Sequence, residues 1–439
     1  LACSAFSAGD EATLAGQMWH GWLRLVAEAR LAKTAAMLLL TVTAAMGAMA
    51  RIYLSWQRGE DPAHPPWTSP AIFWTALAGG ILLKGPLILM FVGLTILTLA
   101  ILDRSAVWLW RMRPVWGLMW TLVLVLPWFV AIFWRAGDAF FTNSLGGDML
   151  SKLAAQESHG APPGLDLVLF WVAFWPGAAV AGMAAPAVWR ARREPGAQYL
   201  LAWLIPSWIV FELVLTKLPH YVLPLYPAIA ILTIGALERR VLSRSWLVRG
   251  AAWWFAIPAI MAVIAIVAAI KLTHQPVFPA WPLLAAAMIA GLIAWWLFDE
   301  SRAERSLLNA VVASMFLAIG VYGIVLPSLT TLFPSAEIAR ALRNVVCVGP
   351  KAAAAGFHEP SLVFMTGTVT LLTAGPAAAD FPGQGSCRFA LVERSAERTF
   401  VQRAEAIGLR YNAATRIDGY NISQGRPVSI AIFRSEGTE

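Results

Sequence analysis

Four stretches of this chain set charged or hydrogen-bonding side chains beside long apolar runs, where a charge is costly unless it is used or solvated. The most specific is Glu212 followed by Thr216-Lys217-Leu218-Pro219-His220-Tyr221-Val222-Leu223-Pro224. Glu212 lies about one helical turn inside an apolar run, with Lys217 at i+5, a spacing only roughly suited to a helical pair. Pro219 and Pro224 interrupt the helix, and non-helical backbone at membrane depth normally lines a cavity; a proline-kinked junction is the plainer alternative. The second stretch, Lys84-Gly85-Pro86, is a lone cation between two apolar runs, which is also how a lysine snorkels at a helix end. The third is Asp148–Pro163, with Lys152, Glu157 and His159. It belongs to a connection of about thirty residues, long enough for a binding loop or lid as well as for a plain solvated loop. The fourth, Glu28-Ala29-Arg30-Leu31-Ala32-Lys33-Thr34, also fits a solvated helical turn with a Glu–Lys pair. Together they place Lys33, Lys84, Lys152 and Lys217 on one face, a set of cations suited to an anionic headgroup, with phosphate the natural choice. The sequence contains no phosphate-cradling glycine loop, nucleophile elbow or HExxH pair.

The elements that must position these residues are membrane helices. Of 439 residues, 59% are hydrophobic and 13% charged, against about a quarter charged in soluble domains. The 22 tryptophans fit the membrane–water boundary, where Trp is enriched. The net charge of +8 sits in short clusters between apolar runs, which points to topology rather than to nucleic acid. Apolar runs predict eleven spans, at about 12–28, 34–53, 70–84, 86–102, 115–134, 165–189, 198–216, 221–237, 248–271, 277–298 and 307–332. The pair around Lys84 is short on both sides, so a re-entrant arrangement there is an alternative. One side collects Arg51, Arg58, Arg104, Arg111, Arg113, Arg190, Arg192, Arg193, Arg239, Arg240, Arg244, Arg249, Arg302 and Arg305. The other holds half as many basic residues, so the arginine-rich side is expected to be cytoplasmic.

After Phe333 the composition turns polar, giving an expected division into a membrane core, 1–333, and a C-terminal α/β domain, 334–439, on the outward side. Ala336–Arg343 predicts a helix capped by Ser335, and Ser361–Thr366, Phe389–Val392 and Val428–Phe433 predict strands. Cys347 and Cys387 share this domain, and an exported domain permits either a disulfide or two buried thiols. The chain begins at Leu1 without a signal-type leader, so it reads as a fragment whose natural start lies upstream.

The stretch Glu28–Leu54, the Lys84-Gly85-Pro86 junction, the Asp148–Pro163 loop and above all Lys217-Leu218-Pro219-His220-Tyr221 resemble bacterial members of glycosyltransferase family 39. This is the group of protein mannosyltransferases and lipid A aminoarabinose transferases. The resemblance implies an all-α polytopic GT-C fold in the bacterial inner membrane, with the C-terminal domain periplasmic. It also implies transfer of a sugar from a polyprenyl-phosphate donor to a lipid, glycan or protein acceptor on the outward face. On that reading Lys152, Lys84 and Lys217 contact the donor phosphate. Glu28, Arg30, Lys33, His159, Glu212, His220 and Tyr221 line the pocket, beside membrane lipids. The family's catalytic Asp belongs to an outer loop upstream of Leu1, and Asp10-Glu11 falls on the cytoplasmic side, so no catalytic residue is assigned here. Ala35 stands where relatives carry a second acidic residue, which keeps open a catalytically impaired, lipid-binding protein of the same fold. Some relatives hold a divalent metal near comparable histidines; His159 and His220 lack a carboxylate partner for one.

Overall fold

The computed structural model describes residues 35–60, 67–136, 162–214, 221–243, 256–273, 276–299, 302–345, 347, 349–385, 387–421 and 426–435. Two compact units emerge, one comprising Leu1–Ile264 and Trp281–Val321, the other Ala265–Ala280 and Tyr322–Glu439. The second unit therefore includes Ala265–Ala280 and the turns from Tyr322 onward as well as the polar C-terminal segment.

In the first unit, α1 (Ala35–Gln57) is the central helix, with Val42, Ala45, Met46, Met49 and Tyr53 fully buried. Helix α2 (Thr68–Lys84) packs along it, and α3 (Leu87–Asp103) follows after a sharp reversal. Gly85 makes that reversal at φ +62°, a conformation a side chain would strain, and its N–H closes on Ile81 O. The Lys84 junction is thus a tight turn between two helices. Helix α4 (Pro114–Ala136) crosses α2 where Gly117 leaves room for the Trp74 ring, whose indole N–H bonds Met112 O at 2.8 Å. The outer face of α4 shows Trp116, Met119, Trp120 and Val123 exposed, as a lipid-facing helix should.

The run 165–189, expected as one span, is two helices, α5 (Leu165–Ala173) and α6 (Gly177–Arg190). Pro176 lacks the N–H that a continuous helix needs, so the ladder is interrupted there. Helices α7 (Pro195–Leu213) and α8 (Tyr226–Glu238) complete this wall. Helix α9 (Ile257–Thr273) is followed by the hairpin of α10 (Trp281–Trp296) and α11 (Ala303–Ala318). The predicted span 307–332 passes from α11 into a π-helical stretch, Ile319–Val325, and a last turn, Leu326–Ser328. Among the described residues five helices are long and apolar enough to cross a membrane, and three shorter apolar helices accompany them. The predicted segment 12–28 lies outside the described residues.

In the second unit, α12 (Pro334–Arg343) precedes β1 (Lys351–Ala355), α13 (Pro360–Thr366), β2 (Leu371–Thr373), α14 (Gly375–Asp380), β3 (Arg388–Glu393), α15 (Arg394–Ala406), β4 (Tyr411–Asn421) and β5 (Arg426–Ser435). The sheet order is β2-β1-β3-β5-β4, parallel across β2, β1 and β3 and antiparallel beyond. Ile338, Leu342 and Leu362 cover one face, over Ala352, Ala354 and Leu391; Ala378, Phe400 and Ala404 cover the other, over Ala355, Ala390 and Phe433. Ser361–Thr366, expected as a strand, is helical. Pro360 occupies the first turn, where its missing N–H costs nothing, and Ser361 Oγ lies 2.8 Å from Ser335 Oγ on α12. Cys347 and Cys387 are joined in a disulfide, their Cα atoms 5.8 Å apart.

Candidate functional site

The two ends of the helical bundle are fixed by α3 and α7, which run antiparallel. Phe91 packs against Phe211 at one end, with ring centroids 5.6 Å apart and planes tilted by 45°. At the other, Asp103 Oδ1 accepts a 2.8 Å bond from Gln198 Nε2. The twelve helical rises from Phe91 to Asp103 span about 18 Å.

At the first end Phe211 also packs on Tyr221, at 5.9 Å between centroids, so Tyr221 and the last turn of α7 stand beside the start of α3 and its Lys84 junction. Lys84 and Tyr221 are both half-buried. Helix α1 begins at this end too, since Thr41 Cγ2 lies 3.4 Å from where a side chain on Gly79 would start, near the end of α2. So does the close of α4. It runs parallel to α2, with Arg113 over the Trp67 ring at 3.5 Å and Trp120 Nε1 bonding Thr75 Oγ1 at 3.0 Å.

Glu212 closes this end. Its Oε2 accepts the Gly164 N–H at 2.7 Å and its Oε1 the Leu167 N–H at 3.0 Å; the Trp208 indole N–H adds a longer contact at 3.4 Å. Gly164 immediately precedes α5 and Leu167 lies in its first turn, where N–H groups have no partners within the helix. A carboxylate there meets the positive end of the helix dipole. Glu212 therefore pins the start of α5, the first helix described after residue 161. Asp166, one residue before Leu167, is a buried carboxylate that sequence reasoning passed over. Its signal was an acid in the first turn of an apolar helix.

From this end an apolar groove of about 450 Å³ runs between α5, α6, α7 and α8, from Leu167 and Phe170 past Trp208 and Leu204 to Val188 and Trp189. Thr233 is its single polar lining residue, and its hydroxyl bonds Ile229 O at 2.7 Å. Such a groove offers a long chain contact without hydrogen bonding, while polar groups wait at the Glu212 end.

Of the residues singled out in the sequence, Lys84, Glu212 and Tyr221 lie at this one end. Glu28, Arg30, Lys33, Lys152, His159, Lys217 and His220, with Asp10 and Glu11, lie outside the described residues. Among the described residues no three of His, Cys, Asp and Glu converge on a metal position.

The described residues thus form an apolar helical bundle with a lateral groove and, as a separate unit, a small α/β domain. The comparisons narrow this. No protein-family model matches the chain. It is similar to the undecaprenyl phosphate-alpha-4-amino-4-deoxy-L-arabinose arabinosyl transferase of Erwinia tasmaniensis, 25% identical over 297 residues, 64% of this chain and 46% of that protein. The transferase of the same name from Aeromonas salmonicida is 28% identical over 193 residues, 42% of this chain and 34% of that protein. The chain thus spans less than half the length of the curated relatives it matches. The crystal structure of ArnT from Cupriavidus metallidurans bound to undecaprenyl phosphate superposes with a TM-score of 0.60 at 20% identity, over 98% of this chain and 83% of that one. Its apo state gives 0.59 at 19% identity, over 96% and 83%. The chain therefore has the fold of these transferases.

Proposed function

We propose that this chain is the membrane core and C-terminal domain of a glycosyltransferase of the GT-C type. It would move a sugar from a polyprenyl-phosphate donor to a lipid, glycan or protein acceptor at the outward face of the bacterial inner membrane. The observation that carries this is the apolar groove rising to the Glu212 end, where Lys84 and Tyr221 also stand. The groove suits a prenyl chain, and the named relatives are transferases of undecaprenyl-phosphate-linked aminoarabinose. In this reading the three shorter apolar helices also span the membrane. The positive-inside pattern puts the Glu212 end and the C-terminal domain in the periplasm.

In this reading Lys152, Lys84 and Lys217 face the donor phosphate, with Glu28, Arg30, Lys33, His159, His220 and Tyr221 around it. The leaving group is polyprenyl phosphate, and negative charge grows on it as the glycosidic bond breaks. Fixed cations favour that charge more in the transition state than in the ground state. Glu212 holds the entry of α5 and so the closing end of the Lys152 segment, which makes it a positioning residue.

The test is sugar transfer by the full-length protein with Lys152→Ala and Lys152→Arg. Alanine should lower the rate by roughly 10²-fold or more, and arginine should retain part of it, since the charge survives while the geometry changes. An unchanged rate with Lys152→Ala removes that contact. Tight binding of polyprenyl phosphate without turnover would select the second reading, a lipid-binding protein impaired by Ala35.

A further inference from the structure

At the arginine-rich end, α6 turns through Ala191–Glu194 into α7, and α8 stops at Glu238 before Arg239 and Arg240. Between these three helices lies a second cavity of about 350 Å³, within the size range of ligand sites, about 300–1,000 Å³. Its inner wall is apolar, from Val188, Leu200, Ile231 and Leu232, and its mouth carries Glu194 and Arg239. Gly196 and Gly235 keep it open: a Cβ added at either meets nothing within 4 Å.

Arg239 and Glu194 are the charged residues of its lining; Arg190, Arg192, Arg193 and Arg240 lie on the adjoining helix ends beside Glu238, and all seven are exposed, so the helix ends around the cleft carry net positive charge. Arg239 and Glu194 approach to 2.9 Å, but their side chains are 63% and 54% exposed, so water and salt screen the pair and it holds little energy. Arg190 and Arg192 lie back on the carbonyls of Pro186 and Trp189 at 3.3 and 2.9 Å, which keeps their charge near the helix end.

We propose that this cleft binds one anionic phospholipid, of the phosphatidylglycerol or cardiolipin kind, on the membrane face opposite the Glu212 end. One acyl chain would lie between α6, α7 and α8, with the phosphate among Arg239 and its neighbours. A free phosphate gains nothing from the apolar wall, and a zwitterionic lipid gains less from the arginines, since its own cation offsets its phosphate. An anionic lipid uses both, as basic pockets between membrane helices do. Arginine's planar fork also matches phosphate oxygens. The cleft shares Val188 and Leu232 with the longer groove, so an occupying chain would also stiffen the wall of that groove. The site does not depend on the transfer reaction and stands or falls separately from it.

The test uses the full chain in nanodiscs of phosphatidylcholine with graded phosphatidylglycerol, read by native mass spectrometry and by the thermal midpoint. Preferential retention of one phosphatidylglycerol, with a rising midpoint, is expected. Gly235→Leu should abolish the retention by filling the cleft, and Gly196→Leu should do the same independently. Arg239→Gln should weaken the preference for anionic lipid about fivefold, while Glu194→Gln should strengthen it by removing a competing carboxylate. Equal retention of phosphatidylcholine, or retention unchanged by both glycine variants, would overturn the proposal. So would displacement by inorganic phosphate alone, which needs no acyl chain, or by polyprenyl phosphate alone, which would assign the cleft to the donor lipid.

Discussion

At one end of the bundle Asp103, Gln57, Gln198 and Tyr53 close on one another; at the other, Glu212 turns its carboxylate to the backbone of α5. The Asp103 carboxylate accepts from Gln198 at 2.8 Å and from Gln57 at 3.3 Å. Gln57 also donates to Tyr53 Oη at 2.9 Å, and Tyr53 packs edge-on to Trp108 with centroids 5.4 Å apart. Tyr199 adds a 2.7 Å bond to Met46 O on α1. Side chain meets side chain there, so three helices are locked and few donors are left to offer a ligand. At the Glu212 end the carboxylate takes its two short bonds from backbone N–H groups, which fixes one helix start. The first arrangement holds the bundle together, and the second suits a working end.

The largest expected stability effect lies at neither end and serves as a control. The Cys347–Cys387 disulfide bridges residues 40 apart, and its removal by Cys347→Ser should cost the C-terminal domain about 2–4 kcal/mol. Limited proteolysis should show cleavage confined to that domain. Finding both thiols free in exported, unreduced protein would remove the bond itself.

Next comes Asp103→Ala, which strands the amide donors of Gln57 and Gln198 among α1, α3 and α7. A loss of about 2 kcal/mol is expected, read as a lower thermal midpoint of the membrane core with binding of the lipid donor retained. If donor binding falls as much as stability, the two ends do not divide the work in this way. Glu212→Ala should cost less stability, about 1 kcal/mol as for other helix caps, but should disturb function more. The test is protease cutting within 137–161, which should rise with Glu212→Ala and stay unchanged with Asp103→Ala.

Much of this contrast was legible in the sequence. Lys84-Gly85-Pro86, Glu212 and Tyr221 stood out because charges and prolines are rare beside apolar runs, and the fold brings them to one end. The Asp103 network was illegible because Gln57, Asp103 and Gln198 sit at helix ends, where polar residues are ordinary; only the antiparallel run of α3 and α7 joins them. In the C-terminal domain β1 escaped notice because its alanines favour helix over strand. They are small since helices press on both faces of the sheet, with Ala352 and Ala354 on one and Ala355 on the other. Ser361–Thr366 misled in the opposite sense: Val363 and Phe364 favour strand, yet Leu362 is buried against α12 while Phe364 is 87% exposed.

The smallest effect separates the groove from its cap. Trp208 serves both, lining the apolar groove with its ring and donating its indole N–H to Glu212 at 3.4 Å. At that distance the bond is near the limit of useful geometry, while Gly164 and Leu167 already hold the carboxylate at 2.7 and 3.0 Å. Trp208→Phe removes the donor and keeps an aromatic ring against Phe170, now 5.9 Å away between centroids. It should therefore change stability by less than about 0.5 kcal/mol and leave cutting within 137–161 unaltered. Trp208→Ala empties the groove wall as well, and should weaken retention of a polyprenyl phosphate while the α5 cap persists. If Trp208→Phe instead loosens the 137–161 segment as strongly as Glu212→Ala, the indole is part of the clamp, and the groove and its polar end form one unit.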